Sequence, residues 1–220
     1  MARPDLTSRN LPVIVIGAGG HAKVAIEALK LQGKVVLGIV DADPTQIDHE
    51  ILGIPVIGND ENVFRRDPTT VLLVNGMGSV GPTERRRAIY QRFRDAGFRF
   101  EVVVHPSAVI ASDVVLEEGA QVMAGAVIQP GSRIGINSIV NTGVSVDHDC
   151  EIGDHAHLAP GVVLSGSVQV GEGAHVGTGA SVIQGVRIGG NSVVGAGALV
   201  IRNVPDGSVV HGVPAKVKTE

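Results

Sequence analysis

Aromatic residues are nearly missing from this chain: they make up 2% of its 220 residues, and there is no tryptophan. A core built without rings relies on Val, Ile, Leu and Ala, which suit a narrow interior. Cysteine is limited to Cys150, so no intrachain disulfide framework is available and a reducing compartment is expected. No apolar run approaches the roughly 20 residues of a membrane-spanning helix, and the opening MARPDLTSRN lacks the apolar region of a signal peptide. Basic charge is sparse as well. The net charge is −4, and the one basic cluster, Arg85-Arg86-Arg87, reads as the solvated face of a helix. That balance argues against nucleic acid as a partner. The expectation is a cytoplasmic protein with no membrane partner.

What the chain has instead is a period. Every sixth residue from Ile110 to Val200 is aliphatic, sixteen positions in succession, and a small residue or Val precedes each by two places. A hexapeptide period reads as a parallel β-helix in which each repeat is a short strand and a corner. One coil cannot cover its own apolar face, so coils stack and share a core. No insertion interrupts the register between residues 108 and 203, which places any catalytic group on the coils themselves.

The first half reads differently. Residues 11–16 form a buried Val/Ile strand, 23–31 carry a helical pattern closed by Gly33, and 35–40 form a second strand ending at Asp41. Between the first strand and the helix stands Gly17-Ala18-Gly19-Gly20-His21-Ala22, the G-x-G-x-x-G/A spacing, with Asp41 about 20 residues on. Glycines there let a phosphate or sugar approach the backbone, the helix N-terminus favours an anion, and Asp41 can accept from a ribose hydroxyl. The same spacing also fits a tight strand–helix turn that holds no ligand, and there is no second half for a full dinucleotide site. Residues 56–58 read as a short edge, 70–74 as a third strand, 84–96 as an amphipathic helix and 98–104 as a last strand. The expected organisation is a small Rossmann-like α/β domain over residues 1–104 and a β-helix with a C-terminal tail over 105–220. The loops at 17–21, 41–43 and 76–79 should form the ligand crevice.

Of eight histidines, His148 alone lies between two acids, Asp147 and Asp149. Two residues past inward Val146, it falls at a corner and points outward. A neighbouring carboxylate orients an imidazole and raises its basicity, as a general base requires. His157 and His175 are 18 residues apart, one coil of three hexapeptides, and should stack on one wall. His148 and His157 are half a coil apart, so one subunit need not bring them together. Zinc is a rival reading of the histidines, since three imidazoles and a water make a catalytic centre. Cys150 occupies an inward small position and reads as packing.

Gly17-Ala18-Gly19-Gly20-His21, Asn141-Thr142, Asp147-His148-Asp149-Cys150 and Gly212-Val213-Pro214-Ala215-Lys216 together resemble the hexapeptide-repeat sugar O-/N-acyltransferases. Within them they resemble the bacterial nucleotide-linked 4-amino-sugar N-acetyltransferases of the bacillosamine and perosamine type, relatives of sialic acid O-acetyltransferase. The resemblance spans residues 13–216. It implies a left-handed β-helix, a homotrimer with active sites between subunits, and acetyl-CoA as donor, with no metal. His148 would be the general base, with Asp149 supporting it at a position where the longer Glu is usual. His157, Gly166, Thr178 and Ala196 would contact the coenzyme, Gly166 through a backbone N–H on the thioester oxygen. Gly19, Gly20, His21, Asp41, Gly78 and Asn141 would hold the nucleotide sugar, with Gly76 competing for the role of Gly78. The implied reaction is direct transfer of acetyl to the 4-amino group of a UDP- or GDP-linked deoxy amino sugar. A sugar hydroxyl as acceptor, a zinc hydrase on the same helix and a non-catalytic trimeric scaffold are the alternatives.

Overall fold

The protein is described by a computed structural model covering residues 11–218; the MARPDLTSRN opening lies outside the described residues. The first domain is a six-stranded sheet in the order β3-β4-β2-β1-β5-β6. Its elements are β1 Val13–Ile16, α1 Gly20–Leu31, β2 Val36–Val40, β3 Glu50–Ile51, β4 Ile54–Gly58, α2 Asp60–Phe64, β5 Leu72–Asn75, α3 Glu84–Asp95 and β6 Arg99–Phe100. All neighbouring pairs are parallel except β3 with β4. The expected edge at 56–58 is therefore not an edge, because the β3 hairpin arm covers it. Helix α1 buries Ala22, Ala25, Ile26, Ala28 and Leu29, residues three and four apart that share one face.

All five aromatic residues lie on the other side of this sheet. Tyr90, Phe93, Phe98 and Phe100 form a core with Ile14, Ile16 and Leu73, and Phe64 packs against it. The α1-side core takes in Val103 and Met123 of the β-helix, so the two parts share apolar contacts.

The expected strand over 98–104 is two strands. Arg99–Phe100 ends the first sheet, while Val103–Val104 pairs with Gln121–Val122 and opens the β-helix. From there the coils build three parallel walls. The first wall includes Val103–Val104, Gln121–Val122, Ile139–Val140, His157–Leu158 and His175–Val176. The second runs from Val109–Ile110 to Leu199–Val200, and the third from Val115–Leu116 to Arg187–Ile188. Every sixth-residue aliphatic from Val122 onward is buried; Ile110 and Leu116 pack on the same core from its open end. Each corner needs one residue at positive φ, and that position also recurs every six residues from 119 to 197. Glycine fills most of these corners. Asn137, Asp149, His155, Ser167 and Asn191 fill the rest, although a left-handed conformation costs a non-glycine residue roughly 1–2 kcal/mol.

The outward side chains divide the walls by chemistry. The first wall presents Gln121, Ile139, His157 and His175, all buried under the first domain. The third presents Arg133, Glu151, Gln169 and Arg187. The second presents Val109, Val127, Ser145, Val163, Ser181 and Leu199, without one charge.

One arginine corrects the sequence reading. Arg85 and Arg87 are exposed, but Arg86 is buried beneath the domain junction. It donates to the carbonyls of Asn75 at 2.8 Å, Met77 at 2.6 Å and Asn137 at 3.1 Å. Burial pulls its pKa down to about 9, which leaves it charged at neutral pH. The physical reason lies in helix phase: Arg86, Tyr90 and Phe93 share the buried face of α3. The guanidinium thus ties the turn after β5 to the coils, and its loss would strand the Met77 and Asn137 carbonyls at about 1–3 kcal/mol each, while the Asn75 carbonyl would keep its bond from Gln121.

Candidate active site

The first feature is a crevice at the carboxyl ends of β1, β2 and β5, where ligands of open α/β sheets bind. Gly17 leaves β1 at φ +95, a conformation open to glycine. Gly19 and Gly20 then lead into α1, and a Cβ on either would meet nothing within 4 Å. Their missing side chains leave open space in a cavity of about 290 Å³ lined by residues 17–21, Asp41, Asp60 and Gly76–Gly78. The three loops expected to form the crevice do meet there. Asp41 has partners of its own: its carboxylate accepts from the N–H groups of Ala18 at 2.6 Å and Asp43 at 2.8 Å. Gly76 and Gly78 separate by function. A Cβ on Gly76 would strike Val15 and the Ile16 carbonyl of β1, whereas one on Gly78 would meet only the His21 side chain.

A second cavity of about 570 Å³ continues from the first, sharing Gly20, His21 and Gly78 and reaching Ser79, Asn141, His157 and Thr178. His157 and His175 stack as the 18-residue spacing predicts, their rings edge to face at 5.0 Å. Both are buried. Burial, with His175, His21 and Arg86 nearby, holds the His157 pKa down to about 2. His21 is held down to about 4, chiefly by burial and then by Arg86. The Gln121 amide donates to the Asn75 carbonyl at 2.9 Å and takes the His21 Nε2–H at 2.6 Å. Ser79, Gln121, Asn75 and Arg86 were not legible as site residues. Gln121 carried one signal, a polar side chain in the strand position just before an inward Val.

His148 lies elsewhere, at the corner between the second and third walls. Asp149, in the left-handed conformation at φ 57, folds its carboxylate back so that Oδ2 accepts the His148 Nδ1–H at 2.8 Å. The shorter acid reaches. That bond, and then the Asp147 charge, raise the His148 pKa above its ordinary value. With Nδ1 protonated, Nε2 carries the free lone pair. One coil on, Gly166 faces the ring: a Cβ there would sit 2.5 Å from His148 Cε1 and Nε2. Among the described residues no acceptor takes the Gly166 N–H. Cys150 is buried, with its thiol pKa pushed up by burial, and it packs in the core.

The site residues therefore fall into two groups. His148, Asp149 and Gly166 share one edge of the second wall. Asn141, His157, Thr178 and the crevice residues gather at the opposite edge, where Thr142, Pro160, Thr178 and Ala196 follow at 18-residue steps. No described group of three or more His, Cys, Asp or Glu residues is arranged to hold a metal ion.

A crevice domain mounted on a β-helix, with a carboxylate-oriented imidazole at a coil corner, defines a hexapeptide-repeat acyltransferase. Residues 12–93 match the PglD N-terminal domain family, and residues 131–166 match the bacterial transferase hexapeptide family. A histidine variant of perosamine N-acetyltransferase from Caulobacter crescentus, solved with CoA and GDP-perosamine, is 44% identical. The match covers 95% of this chain and 97% of that one, with a TM-score of 0.88. The acetyltransferase domain of PglB from Neisseria gonorrhoeae, solved with acetyl coenzyme A, is 36% identical over 95% of this chain and 100% of that one, TM-score 0.87. WeeI from Acinetobacter baumannii, at 24% identity over 94% of this chain and 100% of that one, shares the fold with a TM-score of 0.78. The chain belongs to the hexapeptide-repeat sugar N-acetyltransferases that carry a PglD-type N-terminal domain.

Proposed function

We propose that the protein transfers acetyl from acetyl-CoA to the 4-amino group of a nucleotide-linked deoxy amino sugar, and that it works as a homotrimer. The nucleotide anchors in the crevice on Gly19, Gly20, His21, Asp41 and Gly78, and the sugar extends past Asn141. The coenzyme follows the column of Thr178 and Ala196, with His157 beside it. His148 Nε2 takes the proton as the amine attacks the thioester carbonyl, Asp149 holds the imidazole, and the Gly166 N–H receives the developing oxyanion; the intermediate then collapses with cleavage of the C–S bond, and His148 returns the proton to the departing CoA thiolate. Cys150, two residues past His148, is buried with its thiol hydrogen on the Ser165 carbonyl at 3.3 Å, so direct transfer is preferred to an acyl-enzyme. The observation that carries this reading is the corner itself, where an oriented imidazole with a free Nε2 faces a backbone N–H that has no acceptor among the described residues. GDP is favoured over UDP as the carrier by the 44%-identical relative solved with GDP-perosamine.

Two observations support the trimer. The second and third walls are both uncovered by the first domain, and only the second presents no charge to a neighbour. The catalytic corner and the crevice lie on its opposite edges, so a neighbour's His148 completes the crevice of the first chain. Co-expressed His148→Asn and Gly20→Val chains test this. Each variant alone should transfer little acetyl at low nucleotide-sugar concentration, and mixed trimers should recover a measurable share, because some sites combine an intact crevice with an intact His148. If the mixture does no better than the two variants separately, each chain houses its own site.

A further inference from the structure

His157 has no ring atom left for a ligand. The Asn141 Oδ1 accepts the Thr142 N–H at 2.8 Å, which turns the Asn141 Nδ2 toward His157 Nε2 at 3.1 Å. An amide nitrogen only donates, so Nε2 is the acceptor and the ring proton sits on Nδ1. Nδ1–H then donates to Ser79 Oγ at 2.7 Å. The Ser79 hydroxyl, having accepted, has its own hydrogen to place. The protein partner within reach is His175 Nδ1 at 3.5 Å, at the limit of a hydrogen bond. The chain of donors therefore runs Asn141 to His157 to Ser79 and ends in the cleft.

We infer that Ser79 is the residue of this wall that touches the nucleotide sugar, donating its hydroxyl hydrogen to a sugar or phosphate oxygen, and that His157 is a positioning residue acting through it. The inference rests on the proposed acetyltransferase reading for the identity of the ligand. The nucleotide sugar is favoured over the coenzyme by continuity. Gly76, Met77 and Gly78 line the nucleotide crevice, and the same run of chain carries Gly78 and Ser79 into the second cavity. A molecule longer than the first cavity passes Ser79 next. Arg86, holding the Asn75 and Met77 carbonyls, fixes the turn from which Ser79 reaches the coil. With its hydrogen on His175 at a long distance, Ser79 gives up little when a ligand oxygen replaces that partner.

Two measurements test this. In 15N-histidine-labelled protein, with His157 assigned against a His157→Phe variant, long-range 1H–15N spectra should show the His157 proton on Nδ1. A proton on Nε2 would overturn the donor chain whether or not any sugar is a substrate. In steady-state assays Ser79→Ala should raise KM for the nucleotide sugar about tenfold, the worth of one hydrogen bond at the upper end of its range. KM for acetyl-CoA should stay unchanged, and Ser79→Thr, which keeps the hydroxyl, should retain most of the wild-type affinity. Ser79→Ala/His157→Phe should lose no more than the larger single loss. A KM rise for acetyl-CoA alone, or losses that multiply in the double variant, would overturn the assignment. A wild-type enzyme inactive on every nucleotide amino sugar, with His157 still protonated on Nδ1, would instead count against the acetyltransferase reading and leave the donor chain standing.

Discussion

His148→Asn should lower kcat by at least about 10²-fold, within the 10²- to 10⁴-fold range for a lost general base, while binding of both substrates persists. The side chain is exposed at its corner and contributes nothing to the core, so the coils should be undisturbed. The pH profile separates loss of the base from loss of fold. In the folded protein the Asp149 bond and the Asp147 charge raise the His148 pKa, so the wild-type rate should climb through an apparent pKa above 6.5, the ordinary imidazole value. Asp149→Asn replaces the carboxylate that favours the protonated ring with a neutral amide. The His148 pKa then falls, and the rising limb moves to lower pH. The plateau rate should fall less than in His148→Asn, because Asp149 orients the ring and takes no proton. The His148→Asn variant should show no limb in this range.

Gly166→Ala should have the next largest effect, a loss in kcat of about 10²-fold. The backbone at Gly166 is outside the left-handed region, so alanine is conformationally acceptable there. The added Cβ would stand 2.5 Å from His148 Cε1 and Nε2, well inside contact distance, and the imidazole must swing away. The shift would displace the proposed base from the N–H proposed to receive the oxyanion. Misplacement of a reacting group by about 1 Å can cost 10²-fold, and one lost oxyanion donor costs about 10²- to 10³-fold. The melting temperature should stay close to wild type, since the displaced ring is exposed. Activity within a few-fold of wild type would show that neither the ring position nor this N–H matters to turnover.

Much of this was legible in the sequence because a hexapeptide coil is local. Each aliphatic in the period from Ile110 to Val200 reports its own wall, and the 18-residue return that stacks His157 on His175 is simple counting. The crevice was legible for the same reason: Gly17 to His21 and Asp41 belong to one strand–helix–strand unit. Its distant partners were not. Ser79 meets His157 across 78 residues and His21 meets Gln121 across 100, and no periodic signal spans such distances. Arg86 lay within reach of pattern reading, since Tyr90 and Phe93 mark the buried face of α3 and Arg86 falls on it. The cluster of three arginines obscured that phase. The corner column held a further signal. Where most repeats place glycine at positive φ, Asn137, Asp149 and His155 do not, and each of the three makes a side-chain contact at the His148 corner or the domain junction.

The central claim is acetyl transfer to an amine carried by a nucleotide sugar. The direct measurement incubates the wild-type protein with acetyl-CoA and either GDP- or UDP-linked 4-amino-deoxy sugars, following CoA thiol release and the mass of the sugar product. One acetyl group should be gained per thiol released, held as an amide that survives mild base, with the GDP-linked sugar preferred. Thiol release without sugar acetylation, or a base-labile ester on a sugar that lacks the amine, would contradict it.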